Sequence, residues 1–425
     1  MKNLPRQALV AAFLLAASSA EAISLSDAAT AALQNDPRLV AADQSVQASA
    51  ANVDVARAGY RPTVNASVEG GRSRLYTSAV FPIPGSRNPL AWGVVASQPL
   101  YTGGLVGAQI DSARSQLDGA REFENGTRQQ LLLNAGAAYL DVIRDRAIIE
   151  LNRTTVETLT QAQTDTAKRF KAGEATKTDV AQADARVHEA QASLQRAIAN
   201  AAVGAATFRR VIGRDPDALD AGWPDFPVPT SLDAALTKAD DTPGVRAANA
   251  ETRAARAQIS AAKSGYLPRL SIEGEASDAD DQQFTFDRQT YWSIQLKATL
   301  PIYQGGATRA RVSAARAQAA QAQAQADDMH RATVEAISQA WAQWQATAEV
   351  IKSYESDVAA TELALDSVRK ELAAGTRTTL NLLDAERDYL SARVNLAVSR
   401  HDRAVAALQL LAATGELRLD TYAKR

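Results

Sequence analysis

The chain has 425 residues, of which 46 are basic and 48 are acidic, so its formal net charge is −2 at pH 7, and it contains no cysteine. This charge balance excludes the basic surface that is typical of nucleic-acid-binding proteins. Without cysteine the chain has no disulfide, no catalytic thiolate and no cysteine-based zinc site.

The N-terminus shows the order of features found in a secretory signal peptide. Lys2 and Arg6 precede an apolar run from Leu9 to Ala17, and small residues follow as far as Ala20-Glu21-Ala22. This triplet matches an A-x-A cleavage site, and the apolar run is too short to span a bilayer. We therefore predict that residues 1–22 are a signal peptide and that the protein is exported.

The first half of the mature chain has four predicted parts in a fixed order. A helical stretch from Ser26 to Ala58 is broken at Pro37, because proline ends one helix and begins another. Two stretches of alternating polarity follow. A helix without proline then runs from Gly104 to about Lys171, and roughly 65 residues of helix span about 100 Å. A last helix comes after the turn at Ala172-Gly173.

The same order recurs in the second half, which indicates a tandem duplication. The motifs Gly-Tyr-x-Pro, Pro-x-Tyr-x-Gly-Gly and Ala-Gly each appear twice, at Gly59 and Gly265, at Pro99 and Pro301, and at Ala172 and Ala374. Repeated units of this kind need their neighbours to bury their apolar faces. We assign the first repeat to residues 23–214, a connector rich in proline and aspartate to 215–230, the second repeat to 231–418, and a C-terminal tail to 419–425.

The helices after the two Ala-Gly turns carry apolar residues at alternating spacings of three and four. This spacing is typical of a coiled-coil seam, and its small side chains allow helices to approach closely. The seam residues are Val180, Ala183, Val187, Ala190, Leu194, Ala197 and Ala201 in the first copy, and Leu382, Ala385, Tyr389, Ala392 and Leu396 in the second. Taken alone, the helices suit a soluble bundle equally well.

The stretches of alternating polarity predict four strands, each with one apolar and one polar face. From Thr290 to Ile302 the even-numbered residues are mainly apolar and the odd-numbered ones mainly polar, and residues 64–68, 92–100 and 270–276 behave similarly. This pattern suits a half-buried surface hairpin as well as a transmembrane strand. Export and the polar loops expected at 75–90 and 278–287 favour the membrane. So do the aromatic residues near the loop ends, which are Tyr76, Phe81, Trp92, Phe284, Phe286 and Tyr291.

The predicted strands have to be completed by other copies of the chain. Four strands cannot close into a barrel, and an open sheet edge cannot lie in lipid. Three chains would supply twelve strands, enough for a water-filled interior. The predicted fold is therefore an α+β membrane protein: a trimeric 12-stranded β-barrel, with four strands per chain, continued by a long α-helical coiled-coil tunnel.

With these motifs in duplicated order, the chain resembles the TolC-type outer-membrane efflux protein family. The resemblance covers nearly the whole mature chain, and its closest stretch is AGTRTTLNLLD, from Ala374 to Asp384. It implies a homotrimeric duct in the outer membrane of a Gram-negative cell, with a large periplasmic part. The implied partners are outer-membrane lipid, a periplasmic adaptor (membrane fusion) protein, and an inner-membrane pump of the ABC or RND type. The implied substrates are drugs, other small molecules or secreted protein.

The resemblance also assigns a role to the two Ala-Gly turns. Gly173 and Glu174 in the first repeat, and Gly375 and Thr376 in the second, match the periplasmic tips on which the adaptor docks. Glycine suits such a tip because it permits a tight turn.

A closed constriction beside these tips is the second role that the resemblance implies. Arg377 matches the family's constriction arginine, and Thr178 and Asp179 match its partners in the first repeat. Asp384 matches one of two aspartates that ring the pore, whereas Asn381 stands where the family has the other. The chain is thus expected to carry one carboxylate ring, which favours cations, and to be blocked more weakly by polyvalent cations than a relative with two rings.

No group of residues in the sequence points to catalysis. His188, His330 and His401 lie in separate predicted helices without partners at metal-ligand spacing. We expect no enzymatic activity, no cofactor, no metal site and no nucleic-acid partner. The alternative to an export duct is a soluble periplasmic coiled-coil scaffold.

Overall fold

The computed structural model describes residues 22–75, 85–220, 222–283 and 286–423. Of the predicted signal peptide, only Ala22 falls within these ranges. Tyr76, Phe81 and Phe284, three of the aromatic residues expected near the loop ends, lie outside the described residues. Among the helices of the described ranges, none is both long enough and apolar enough to cross a bilayer.

Two helices of 67 residues each, α3 and α7, dominate the fold. As predicted, Pro37 occupies the first turn of helix α2, and Pro243 has the same position in α6, its counterpart in the second half of the chain. The α-helices of the described residues are α1 (Leu25–Asn35), α2 (Pro37–Ala58), α3 (Leu105–Lys171), α4 (Lys177–Ile212), α5 (Leu232–Leu236), α6 (Pro243–Lys263), α7 (Ala307–Ala373), α8 (Thr379–Ala413) and α9 (Asp420–Ala423).

Within the described ranges, the strands form one sheet of four and one of two. All neighbours are antiparallel, the larger sheet has the order β1-β4-β5-β6, and β2 pairs with β3. Among the described strands, β1 and β6 are therefore the edges of this sheet. The strands are β1 (Thr63–Gly70), β2 (Ser73–Leu75), β3 (Gly85–Arg87), β4 (Leu90–Tyr101), β5 (Arg269–Gln283) and β6 (Phe286–Thr299).

The strands extend into the two segments for which polar loops were expected. Strand β3 lies within residues 75–90, and β5 and β6 occupy most of 278–287. The acidic Asp278 is compatible with a strand here because Arg288 and Thr290 on β6 both donate hydrogen bonds to its carboxylate. The loop prediction was wrong at this point, since charge pairing across the ladder offsets the low strand propensity of aspartate.

The register places the predicted apolar sets of all four strands on one face. Ile272 lies opposite Leu296, and Gly274 lies opposite Ile294. Further pairs extend this face across the sheet: Ala276–Trp292, Val94–Ala276, Ala66–Val94 and Val68–Trp92. Trp292, Ile294 and Leu296 are between 66 and 75% exposed in the single chain. A broad apolar face is thus left uncovered by the chain's own helices.

The main hydrophobic core lies around the middle of α3. One cluster joins Tyr139 to α1 and to the end of α4, and a second joins Leu132 to α8. The largest side chains of the two clusters are Tyr139, Phe208 and Ile212 in the first, and Leu132, Phe226, Leu408 and Tyr422 in the second.

The connector and the C-terminal tail are part of this core. Phe226 of the connector and Tyr422 of the tail pack edge to face with ring centroids 6.0 Å apart. The Tyr422 hydroxyl donates to the Leu132 carbonyl at 2.7 Å, and burial raises the pKa of this tyrosine. Tyr139 donates to the carbonyl of Asp220 at 3.1 Å. The connector and the tail therefore pack against α3 and stabilise the arrangement of the helices around the core.

Part of the predicted seam is buried in each of the two helices, α4 and α8. Ala183, Val187, Ala190 and Ala197 are buried. In α8 the predicted seam residue Ala392 is buried, but at the start of the seam the buried apolar residue is Leu383, which packs with α3 and α4, while Leu382, Ala385 and Tyr389 are only half-buried. The face of α8 is rotated because this helix packs against α3 and α4 as well as against α7.

Candidate functional site

Each helical hairpin ends in an exposed turn built on a glycine. Gly173 and Gly375 have φ values of 81° and 78°, in the left-handed region that glycine adopts without strain. The next amides, of Glu174 and Thr376, donate to carbonyls of the preceding helical turn at 2.9 and 3.0 Å. These bonds give a partner to backbone carbonyl groups in the last turns of α3 and α7, which have none within the helix. The four predicted tip residues thus form two well-defined surface turns.

The helices after the turns begin with matching capping boxes. In α4 the Thr176 hydroxyl accepts from the Asp179 amide at 3.1 Å, and the Asp179 carboxylate accepts from the Thr176 amide at 2.8 Å. In α8 the Thr378 and Asn381 side chains make the same exchange. A capping side chain contributes about 1 kcal/mol. Asn381 therefore keeps the helix cap while removing the charge.

The capping interactions also favour the ionised form of the Asp179 carboxyl group. Hydrogen bonds from the backbone and hydroxyl of Thr176 hold the pKa of the Asp179 carboxyl below its usual value. The carboxylate is therefore ionised at neutral pH and available to a cation from outside the hairpin. Thr178 lies exposed in the first turn of α4.

Arg377 finds a partner within its own hairpin. Its Nε donates to Glu371 Oε2 at 2.7 Å, with both side chains about half exposed. Such an exposed pair contributes roughly 0–1 kcal/mol, so Arg377 can exchange this partner for another at little cost. The expected pairing with Thr178 and Asp179 is not formed within the single chain and remains a prediction for a neighbouring chain.

Asp384 lies between α8 and α4 rather than standing alone. Its Oδ1 accepts from Arg186 Nη2 at 2.9 Å, and Arg387 Nη1 lies 3.8 Å away. Arg186 also bridges to Glu189 at 2.9 Å. Sequence reasoning missed Arg186, because 198 positions separate it from Asp384 and no local motif joins them.

An ion pair between the buried Glu386 and the half-exposed Arg369 joins α8 to α7 behind the second tip. Glu386 is 6% exposed, and its Oε1 accepts from Arg369 Nη2 at 2.5 Å. Removing Arg369 would leave the Glu386 side chain buried without its cation. The first turns of α8 are thus anchored by Glu386, two residues beyond Asp384.

The second tip and the end of α3 enclose an open cleft of about 520 Å³. Its walls include Arg169 and Glu174 from the first hairpin, and Arg369, Leu372 and Gly375 from the second. The two tips are therefore neighbours in the folded chain and present one continuous surface.

His401 is buried at a second charged cluster, between α8 and α3. Its Nε2 lies 3.0 Å from Asp141 Oδ1, and its Nδ1 lies 2.9 Å from Asp402 Oδ1. Burial raises the pKa of Asp141, but the adjacent His401 and Arg144 together lower it further, so the net shift is downward. Within the described ranges no group of three or more His, Cys, Asp or Glu residues has an arrangement able to hold a metal ion.

Comparison with known proteins identifies similar chains over almost the whole length. The model of the outer membrane efflux protein family matches residues 28–214 and 239–416. Outer membrane efflux protein BepC of Brucella suis is 30% identical over 97% of this chain and 90% of its own. Outer membrane protein TolC of Vibrio cholerae is 25% identical over 98% of this chain and 96% of its own. The crystal structure of a membrane protein from Pseudomonas aeruginosa has the same fold, with a TM-score of 0.82 at 22% identity over 92% of both chains.

Proposed function

The chain belongs to the outer membrane efflux protein family, and we propose that three copies form a duct that carries substrates out of the cell. The protein is located in the outer membrane. In the proposed assembly an inner-membrane pump of the ABC or RND type delivers drugs, other small molecules or secreted protein. A periplasmic adaptor joins pump to duct, and the chain itself catalyses no reaction.

The observation that carries this proposal is the uncovered apolar face of the four-stranded sheet. Trp292, Ile294 and Leu296 are exposed there, and Ser293 and Gln295 alternate with them on the opposite face. A sheet with one apolar and one polar face matches a barrel wall between lipid and water. Because β1 and β6 are open edges, three chains joined edge to edge would close a barrel of twelve strands.

The helices support a tube that continues the barrel. Each of α3 and α7 spans roughly 100 Å at about 1.5 Å per residue. Their far ends carry the tips at Gly173 and Gly375, so the tips would lie deep in the periplasm, where an adaptor can reach them. The cleft between the tips is lined by arginine, glutamate and leucine side chains, to which an adaptor could bind.

Charged and polar side chains beside the same hairpin tips could form a gate. Arg377 is held by an exposed pair with Glu371, and the pKa of the Asp179 carboxyl is lowered, so this group is ionised at neutral pH. In the resting trimer we expect Arg377 to pair with the Thr178–Asp179 segment of the neighbouring chain, through a directional, charge-assisted hydrogen bond. Threefold repetition of a weak bond suits a latch that an adaptor opens. Asp384 and Asn381 would line the constriction behind it.

Two measurements test the duct. Extraction from membranes in detergent followed by light scattering should give the mass of three chains, and planar bilayers should show discrete channels. A monodisperse monomer, or recovery in the soluble periplasm, would instead support the coiled-coil scaffold.

Adaptor docking is tested by crosslinking, which the absence of native cysteine makes specific. A Glu174→Cys variant carrying a photoactivatable crosslinker should capture the adaptor. The matched control is Asp111→Cys, which is also exposed on the first hairpin but lies near the barrel end of α3. Equal capture at both positions would refute docking at the tips.

A further inference from the structure

The Arg186–Asp384 pair joins the two helices that lead away from the tips. Arg186 lies in α4, about two turns beyond the capping box, and Asp384 lies in the second turn of α8. Their 2.9 Å contact is direct and charge-assisted. The Asp384 carboxylate therefore faces a guanidinium of its own chain.

The geometry holds Arg186 in place at this pair. One terminal nitrogen, Nη2, binds Asp384, while the other, Nη1, binds Glu189 at 2.9 Å. Only 26% of the Arg186 side chain is exposed, against 39% of Asp384. A guanidinium anchored by two carboxylates keeps its charge at every physiological pH and has little freedom to swing away.

A fixed positive charge beside Asp384 changes the electrostatic potential that an ion meets at the constriction. A cation near Asp384 is attracted by its carboxylate and repelled by the Arg186 guanidinium bound to it, so the net attraction is weaker than that of a bare carboxylate. A bare ring of carboxylates selects cations, whereas a ring of compensated pairs has little net field to do so. Asn381 adds no further charge at this level of α8.

We propose that Arg186 is a selectivity-determining residue, which neutralises Asp384 and suppresses cation selectivity and polyvalent-cation binding at the constriction. This inference rests on the proposed function, in which Asp384 lines the narrowest part of the duct. It replaces the expectation from sequence that Asp384 acts as a free carboxylate ring: the wild-type resting duct is only weakly cation-selective.

The test is the reversal potential in a KCl gradient across a planar bilayer, together with block by hexaamminecobalt(III). Arg186→Gln should raise the cation-to-anion permeability ratio severalfold and lower the half-blocking concentration about tenfold or more. Arg186→Lys keeps the charge and should behave like wild type. Arg186→Gln combined with Asp384→Asn and Glu189→Gln should return towards wild-type selectivity, because the guanidinium and both carboxylates that it binds are then uncharged or absent.

A matched control is Arg196→Gln, which removes an arginine of α4 that bonds to Ser193 rather than to Asp384, and which should change neither readout. Variants are compared only after they are shown to form trimers.

A further variant, Asp384→Lys, shows separately whether Asp384 lines the constriction and whether Arg186 compensates its charge. If it shifts selectivity while Arg186→Gln does not, Asp384 lines the duct but Arg186 does not compensate it, and the inference is overturned. If neither variant shifts selectivity, the constriction itself lies elsewhere and that part of the proposed function fails. If Arg186→Gln raises conductance with selectivity unchanged, Arg186 is a mechanical latch and not a counter-charge.

Discussion

Replacing Leu296 by arginine should disrupt assembly of the protein in the membrane. Leu296 lies on the apolar face of the sheet, opposite Ile272, and about two-thirds of it is exposed in the single chain. In the proposed barrel this exposed surface contacts lipid. An arginine there would place a charge in hydrocarbon without a partner.

The position of Leu296 in its strand determines how large the free-energy cost of an arginine there should be. It lies midway along the apolar row that runs from Trp292 to Leu300. At roughly 3.4 Å per residue, each half of the row is about 14 Å long. With a strand tilt of about 40°, this is about 10 Å along the membrane normal, which puts Leu296 near the middle of an apolar band about 25 Å tall. Arginine near the midplane costs about 2–4 kcal/mol per chain, or about 6–12 kcal/mol for a trimer.

The neighbouring Gln295 provides the matched control, because its side chain points to the polar face. It lies opposite Glu273, which already binds Lys297 at 3.2 Å. An arginine at Gln295 would meet water and a carboxylate, so its effect should stay within about 1 kcal/mol.

The assay is the temperature at which the trimer dissociates in mild detergent, together with the yield of folded trimer from membranes. Leu296→Arg should lower both strongly, and Gln295→Arg should leave both near wild type. Equal losses from the two variants, or a larger loss from Gln295→Arg, would show that the assignment of lipid and water faces is wrong.

Three further predictions concern the helical end and the core. Gly375→Val forces a β-branched residue to a φ of 78°, at a cost of about 1–3 kcal/mol; trimers should form, but capture of the adaptor by crosslinking should be lost, while Gly375→Asn retains it. Arg377→Ala should raise the resting conductance in planar bilayers, whereas Glu371→Ala, which frees Arg377 for the neighbouring chain, should not; the reverse result would contradict the latch. The pKa of Asp141 is lowered in the folded protein, so the interactions of its carboxylate with His401 and Arg144 stabilise the fold above about pH 4, and this contribution is lost as pH falls through the folded pKa. His401→Gln should therefore lower the melting temperature at pH 5–6 by an amount that shrinks below about pH 4, and a pH-independent difference would refute this.

Local sequence determined the secondary structure, because the signals act within a few residues. Pro37 begins α2 since its ring fixes the backbone for a first helical turn. Gly173 and Gly375 end the long hairpins since only glycine adopts a positive φ without strain. Alternation along residues 290–302 fixed which side chains share a face, since successive strand residues point to opposite sides.

The partners of the charged groups were decided only by tertiary structure. Asp384 could be assigned to a helix near a tip from sequence, but its binding to Arg186 depends on how α4 and α8 are rotated against each other. The burial of Tyr422 against the middle of α3 has the same origin. Helical periodicity sets the relative positions of side chains within one helix, whereas an ion pair or a core contact also depends on the relative orientation of segments hundreds of residues apart, which is set by the packing of the whole chain.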